Sequence, residues 1–133
     1  MNSMQLRVLG AGIFFVFVLL SGLVLNRSGS PYNTAVLTIH KLIALAVLIF
    51  VMVSAYRKHQ AAPLEALELA VVAITILLFV ATIATGGILS TNKAMPAIVS
   101  RLHQITPFLT VAGTAVALYL LLWNVEETFQ VMQ

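Results

Sequence analysis

Four apolar runs, each long enough to cross a bilayer, govern what this chain can fold into. The first, Val8 to Leu25, is unbroken, and about 18 or more such residues read as a membrane-spanning helix. Spans are predicted at about residues 8–25, 34–56, 67–89 and 98–123. With 61% of residues hydrophobic and 8% charged, the chain lies far from the roughly 45–50% apolar and 25% charged make-up of a soluble domain. An integral membrane protein is expected, in the inner or plasma membrane of the cell and in contact with the lipid bilayer. The net charge of +3 is spread singly along the chain. That is too sparse for a nucleic-acid surface and suits the flanks of membrane helices, so no nucleic-acid partner is expected. The first run exceeds the roughly 7–15 residues of a signal-peptide core and no Ala-x-Ala site follows, so it is read as a retained helix.

The connections are short. Arg7 marks the near end of the first span. Asn26 to Pro31 supplies a turn, with Ser30 as the expected N-cap and Pro31 as the first helical residue. The second helix is expected to end near Tyr56, followed by a polar loop from Arg57 to Pro63. Pro63, with Glu65 and Glu68 near the positive end of the dipole, opens the third helix. Ser90 to Lys93 breaks that helix, Pro96 opens the fourth, and a polar tail runs from Asn124 to Gln133. The fold class predicted is all-α, a four-helix antiparallel membrane bundle forming a single transmembrane domain over residues 1–133. Tyr32, Tyr56, Tyr119 and Trp123 fall near predicted helix ends, as interfacial aromatic belts do.

An internal repeat divides the chain into two hairpins, about residues 6–60 and 64–124. Ser21-Gly22-Leu23-Val24-Leu25 matches Thr85-Gly86-Gly87-Ile88-Leu89, and Thr38-Ile39-His40-Lys41-Leu42 is echoed by Ser100-Arg101-Leu102-His103-Gln104. The glycine-to-histidine spacings differ by one residue. Since each copy holds two spans, both enter the membrane in the same sense. His40 and His103 are therefore expected near one membrane face, roughly 10–14 Å into helices opened by Pro31 and Pro96.

Ionisable side chains at membrane depth are costly unless partnered and mark functional sites. Two depth-matched imidazoles on facing helices suit a shared ligand, and haem iron is commonly held by axial histidine. With no cysteine in the chain, thiolate and iron–sulfur sites are excluded. Zinc or copper needs more donors than two imidazoles, and no carboxylate lies at that depth. Haem brings four ligands of its own. One haem b between His40 and His103 is therefore expected, with both histidines as metal ligands. Gly22 and Gly86 would clear room for the macrocycle, and Lys41 and Arg101 would meet its propionates.

Pro107 cannot donate to the carbonyl of residue 103 and is expected to kink the fourth helix. Thr75, Thr82, Thr85, Thr106, Thr110 and Thr114 recur near helical spacing and read as contacts between helices. His59, beside Arg57 and Lys58, is placed in a solvated loop on the opposite face and is not expected to be a ligand.

The four-span layout, with Gly22-Leu23-Val24-Leu25 followed by His40-Lys41 in the first hairpin, resembles four-helix membrane cytochromes b of the ferric-reductase and superoxide-oxidase kind. That resemblance implies axial histidine pairs on facing helices and electron transfer. Those families stack two haems on four histidines, whereas His40 and His103 are the two histidines within the spans here, so exchange at one membrane face is what carries over. Quinol or a redox protein is the expected electron partner, an electron-transfer subunit is expected before a self-sufficient enzyme, and a homodimer is compatible. Alternatives are a reversible haem carrier or sensor, or a cofactor-free scaffold subunit. Arg7, Arg57 and Lys58 share a face with the termini. Once Lys41 and Arg101 are assigned to propionates, the positive-inside rule favours cytoplasmic N- and C-termini.

Overall fold

The computed structural model describes residues 3–91 and 93–131, with side chains described for residues 6–91 and 93–122. Four helices occur in order: α1 (Ser3–Ser28), α2 (Thr34–Ala61), α3 (Ala66–Leu89) and α4 (Ala97–Val131). No strand occurs among the described residues. All four are long and apolar enough to span a membrane, and the chain is an integral membrane four-helix bundle. Its large side chains turn outward, Phe17, Leu42, Leu77 and Phe108 among them, because lipid tails solvate apolar surface as well as another helix would.

Helix ends depart from expectation where side-chain caps take over. Ser30 is not the N-cap of α2 and Pro31 lies outside it. Asn33 holds that position, its side chain accepting from the Val36 N–H at 3.1 Å, and Gly29 supplies the turn at φ +67° that a residue with a Cβ rarely adopts. Nor does Pro63 open α3. Glu65 is its N-cap and forms a reciprocal capping box with Glu68, satisfying two otherwise unpaired N–H groups. α2 runs five residues past Tyr56, so Arg57, Lys58 and His59 are helical rather than in a loop. Pro96 does stand directly before α4, accepting from Val99 N–H at 3.0 Å. α4 continues through Pro107 and past the expected end at residue 123. The side chain of Trp123, those of the expected polar tail, and Asn92 lie outside the described residues.

α1 packs on α2 and α3 on α4, giving two antiparallel hairpins, and α2 and α4 meet between them. α1 reaches α3 through Phe15, whose ring centroid lies 6.2 Å from that of Phe79. One core cluster joins Ala55, Val72, Ala117 and Leu121, and another joins Val47, Val51 and Phe79. Between α3 and α4, Thr75, Thr110 and Thr114 are buried. The hydroxyls of Thr110 and Thr114 donate to carbonyls one turn back, and Thr82 and Thr110 touch at 3.2 Å. The Thr82–Thr110 pair is a contact between helices of the kind expected of the threonines, whereas the Thr110 and Thr114 hydroxyls bond within their own helix.

The core is lopsided. Among the described residues of α2, α3 and α4, the buried ones run from Val47 to Ala55, from Glu68 to Phe79 and from Thr110 to Leu121. The other ends of these three helices, where His40 and His103 lie, bury no side chain fully. Leu25 of α1 is the buried residue at that end.

Candidate functional site

His40 and His103 are each the seventh residue of its helix, about 9 Å from the start at 1.5 Å per residue. That is slightly shallower than counting from the prolines suggests, because both helices begin after them. The depths are equal, and the packing of α2 against α4 turns the rings toward each other. Their centroids lie 6.5 Å apart, with planes crossing at 77°.

Each imidazole is held by the helix before it in the chain. His40 Nδ1 lies 3.1 Å from the Val18 carbonyl and 2.9 Å from Ser21 Oγ. His103 Nδ1 lies 3.0 Å from the Thr82 carbonyl and 3.1 Å from Thr85 Oγ1. A carbonyl accepts and cannot donate, so Nδ1 must carry the ring proton in both. The hydroxyls fit this assignment. Ser21 donates its own proton to Val18 O, and Thr85 donates to Ala81 O and Thr82 O, leaving each oxygen free to accept from Nδ1–H. The Nε2 lone pairs are thereby released, and neither has a hydrogen-bond partner among the described residues. A metal-ligating imidazole commonly donates its other ring N–H to a backbone carbonyl in this way.

Gly22 and Gly86 stand against these rings. A Cβ built on Gly22 would lie 3.2 Å from His40 Cε1, and one built on Gly86 would lie 2.6 Å from His103 Cε1. The clearance that each glycine opens is thus taken by an imidazole. Lys41 and Arg101 are exposed at the same end, and Lys41 Nζ donates to Ser90 Oγ at 2.9 Å. His59 is far from the pair in the chain and exposed, where it accepts from the Leu64 N–H at 3.4 Å.

The donor set limits the ligand. Among the described residues no three histidine, cysteine or acidic side chains gather as a metal site, so a bare ion would find the two imidazoles with no carboxylate or thiolate beside them. A metal already ringed by a macrocycle needs only those two. Two imidazoles on facing helices, each with Nδ1 held by a carbonyl, are a donor set that suits haem. Compared with known proteins, the chain matches no family model, no curated protein and no solved structure.

Other polar features escape a reading from sequence. Ser21 and Thr85 precede the two glycines at equivalent repeat positions, a signal visible in the alignment of the hairpins. Lys58 follows Val47, Val51 and Ala55 at helical spacing, which would have put it on the buried face had α2 been extended that far. It forms a buried ion pair with Glu68 and also donates to the Leu120 carbonyl at 2.9 Å.

Proposed function

We propose that this protein is a small membrane b-type cytochrome that holds one haem between His40 and His103 and exchanges electrons at the membrane face nearest that pair. The observation that carries this reading is the facing pair of imidazoles, 6.5 Å apart, with Nδ1 of each committed to a backbone carbonyl. Bound there, haem supplies one-electron chemistry through its iron. The chain's own residues orient the two imidazoles and fix their tautomers, which would leave each Nε2 for the metal. Lys41 and Arg101, exposed at the histidine end, would compensate the haem propionates. Quinol or a redox protein is the electron partner at that face, and the termini are cytoplasmic, so the face is the outer one.

The test is an optical spectrum of the detergent-purified protein, oxidised and dithionite-reduced, beside His40→Ala and His103→Ala. A sharp reduced α band lost in both variants is expected. Full haem content in either variant, or no Soret band even after haemin is added to the parent, overturns the reading. A reporter fused near Ser28 that is found in the cytoplasm overturns the orientation.

A further inference from the structure

The two ends of the bundle are fastened differently. At the end away from the histidines, α2, α3 and α4 meet in the buried cluster of Ala55, Val72, Ala117 and Leu121. The same end carries the buried Lys58–Glu68 pair, which ties α2 to α3, while Lys58 also bonds the Leu120 carbonyl of α4. Charge-assisted bonds shielded from water hold strongly once formed. At the histidine end the hairpins are joined by two exposed polar ties. Lys41 of α2 donates to Ser90 just past α3 at 2.9 Å, and Gln104 of α4 donates to Asn26 of α1 at 3.5 Å. The two ties are repeat equivalents. Lys41 and Gln104 each follow a histidine, and Ser90 and Asn26 each lie four residues beyond a glycine of the other hairpin. Water competes for both, so either is easily broken.

We propose that the bundle works as a clamp, hinged at the Lys58–Glu68 end, whose two hairpins part at the Lys41–Ser90 and Gln104–Asn26 ties to admit the ligand of the histidine pair from the adjoining membrane face. The proposal rests on the haem reading for the identity of that ligand. A flat macrocycle cannot pass between imidazoles seated directly on Gly22 and Gly86 unless the hairpins separate. The lack of fully buried side chains on α2, α3 and α4 at this end keeps the cost of separation low. Each hairpin can move as a unit, because α1 with α2 and α3 with α4 make the broadest helix contacts in the molecule.

The chain has no cysteine, so introduced pairs are its only thiols. Asn26→Cys with Gln104→Cys, bridged by a short disulfide-containing bismaleimide that replaces the reach of the two native side chains, locks the mouth until the bridge is reduced. Haemin uptake by the locked apoprotein is expected to slow about tenfold or more, with dithiothreitol restoring it, and locking after loading should leave the spectrum intact while slowing transfer to an apo-globin acceptor. Uptake at the same rate by locked and reduced protein overturns the clamp. A reduced protein that takes up no haemin overturns the haem reading instead, and spin labels then judge the clamp. Labels at Arg27 and Arg101 should give a broad distance distribution and labels at Val53 and Val116 a narrow one. Equally narrow distributions at both ends overturn it.

Discussion

Gly86 lies so close to His103 that a Cβ built on it would fall 2.6 Å from the ring's Cε1, whereas the matching distance from Gly22 to His40 is 3.2 Å. The first contact forces the imidazole to move, and the second asks for a few tenths of an ångström. Overpacking costs about 1–3 kcal/mol, so on the proposed haem reading Gly86→Ala should weaken haemin binding by about tenfold and broaden the reduced α band. Gly22→Ala should do less. Titration of haemin into the two variants checks the order, and equal effects would mean that the rings are not seated on the glycines.

Ser21 and Thr85 accept from Nδ1–H alongside the carbonyls of Val18 and Thr82. Ser21→Ala or Thr85→Val leaves the carbonyl in place, so under the proposed function haem should be retained with an unchanged absorption pattern. A weaker bond to Nδ1–H makes the ligand less basic and favours ferrous over ferric iron, so the midpoint potential should rise in each variant. A potentiometric titration showing no change or a fall would argue that the hydroxyls do not act on the rings.

Lys58 and Glu68 are both buried, with side chains 9% and 4% exposed. Removing one charge strands the other, which costs about 3–5 kcal/mol. Lys58→Met should therefore lower the melting temperature strongly. Adding Glu68→Gln should restore most of the loss, since the amide keeps an acceptor for Glu65 N–H, now met by Oε2 at 3.0 Å. A double variant no more stable than Lys58→Met would show that the pair is not what fastens this end.

Gly113 lets α4 rest on Thr75 of α3, since a Cβ there would lie 2.9 Å from Thr75 Oγ1. That hydroxyl is fully buried and has no hydrogen-bond partner among the described residues. Threonine is stiff about its first torsion, so Gly113→Ala should destabilise the α3–α4 hairpin by about 1–3 kcal/mol. Thr75→Ala in the same chain should recover part of that, and thermal melts of the four-member cycle measure the coupling.

The four spans, the antiparallel bundle and the two-hairpin repeat were legible in the sequence, because apolar runs of spanning length leave the backbone no other way to satisfy its hydrogen bonds in lipid. The equal depth of His40 and His103 followed from the same repeat. Helix ends were less legible. Asn33 and the Glu65–Glu68 box displaced Ser30, Pro31 and Pro63 because capping depends on where a side chain can reach, and several neighbouring residues could have served. Lys58 was read as part of a polar loop since composition alone cannot reveal a carboxylate and a carbonyl waiting on two other helices. What the tertiary structure decided was the meeting itself. The packing of α2 against α4 brings the rings to 6.5 Å, and the earlier helix of each hairpin gives Nδ1 its carbonyl. Spacing along a helix sets the depth of a side chain, but which way two helices turn toward each other depends on the whole set of contacts between them.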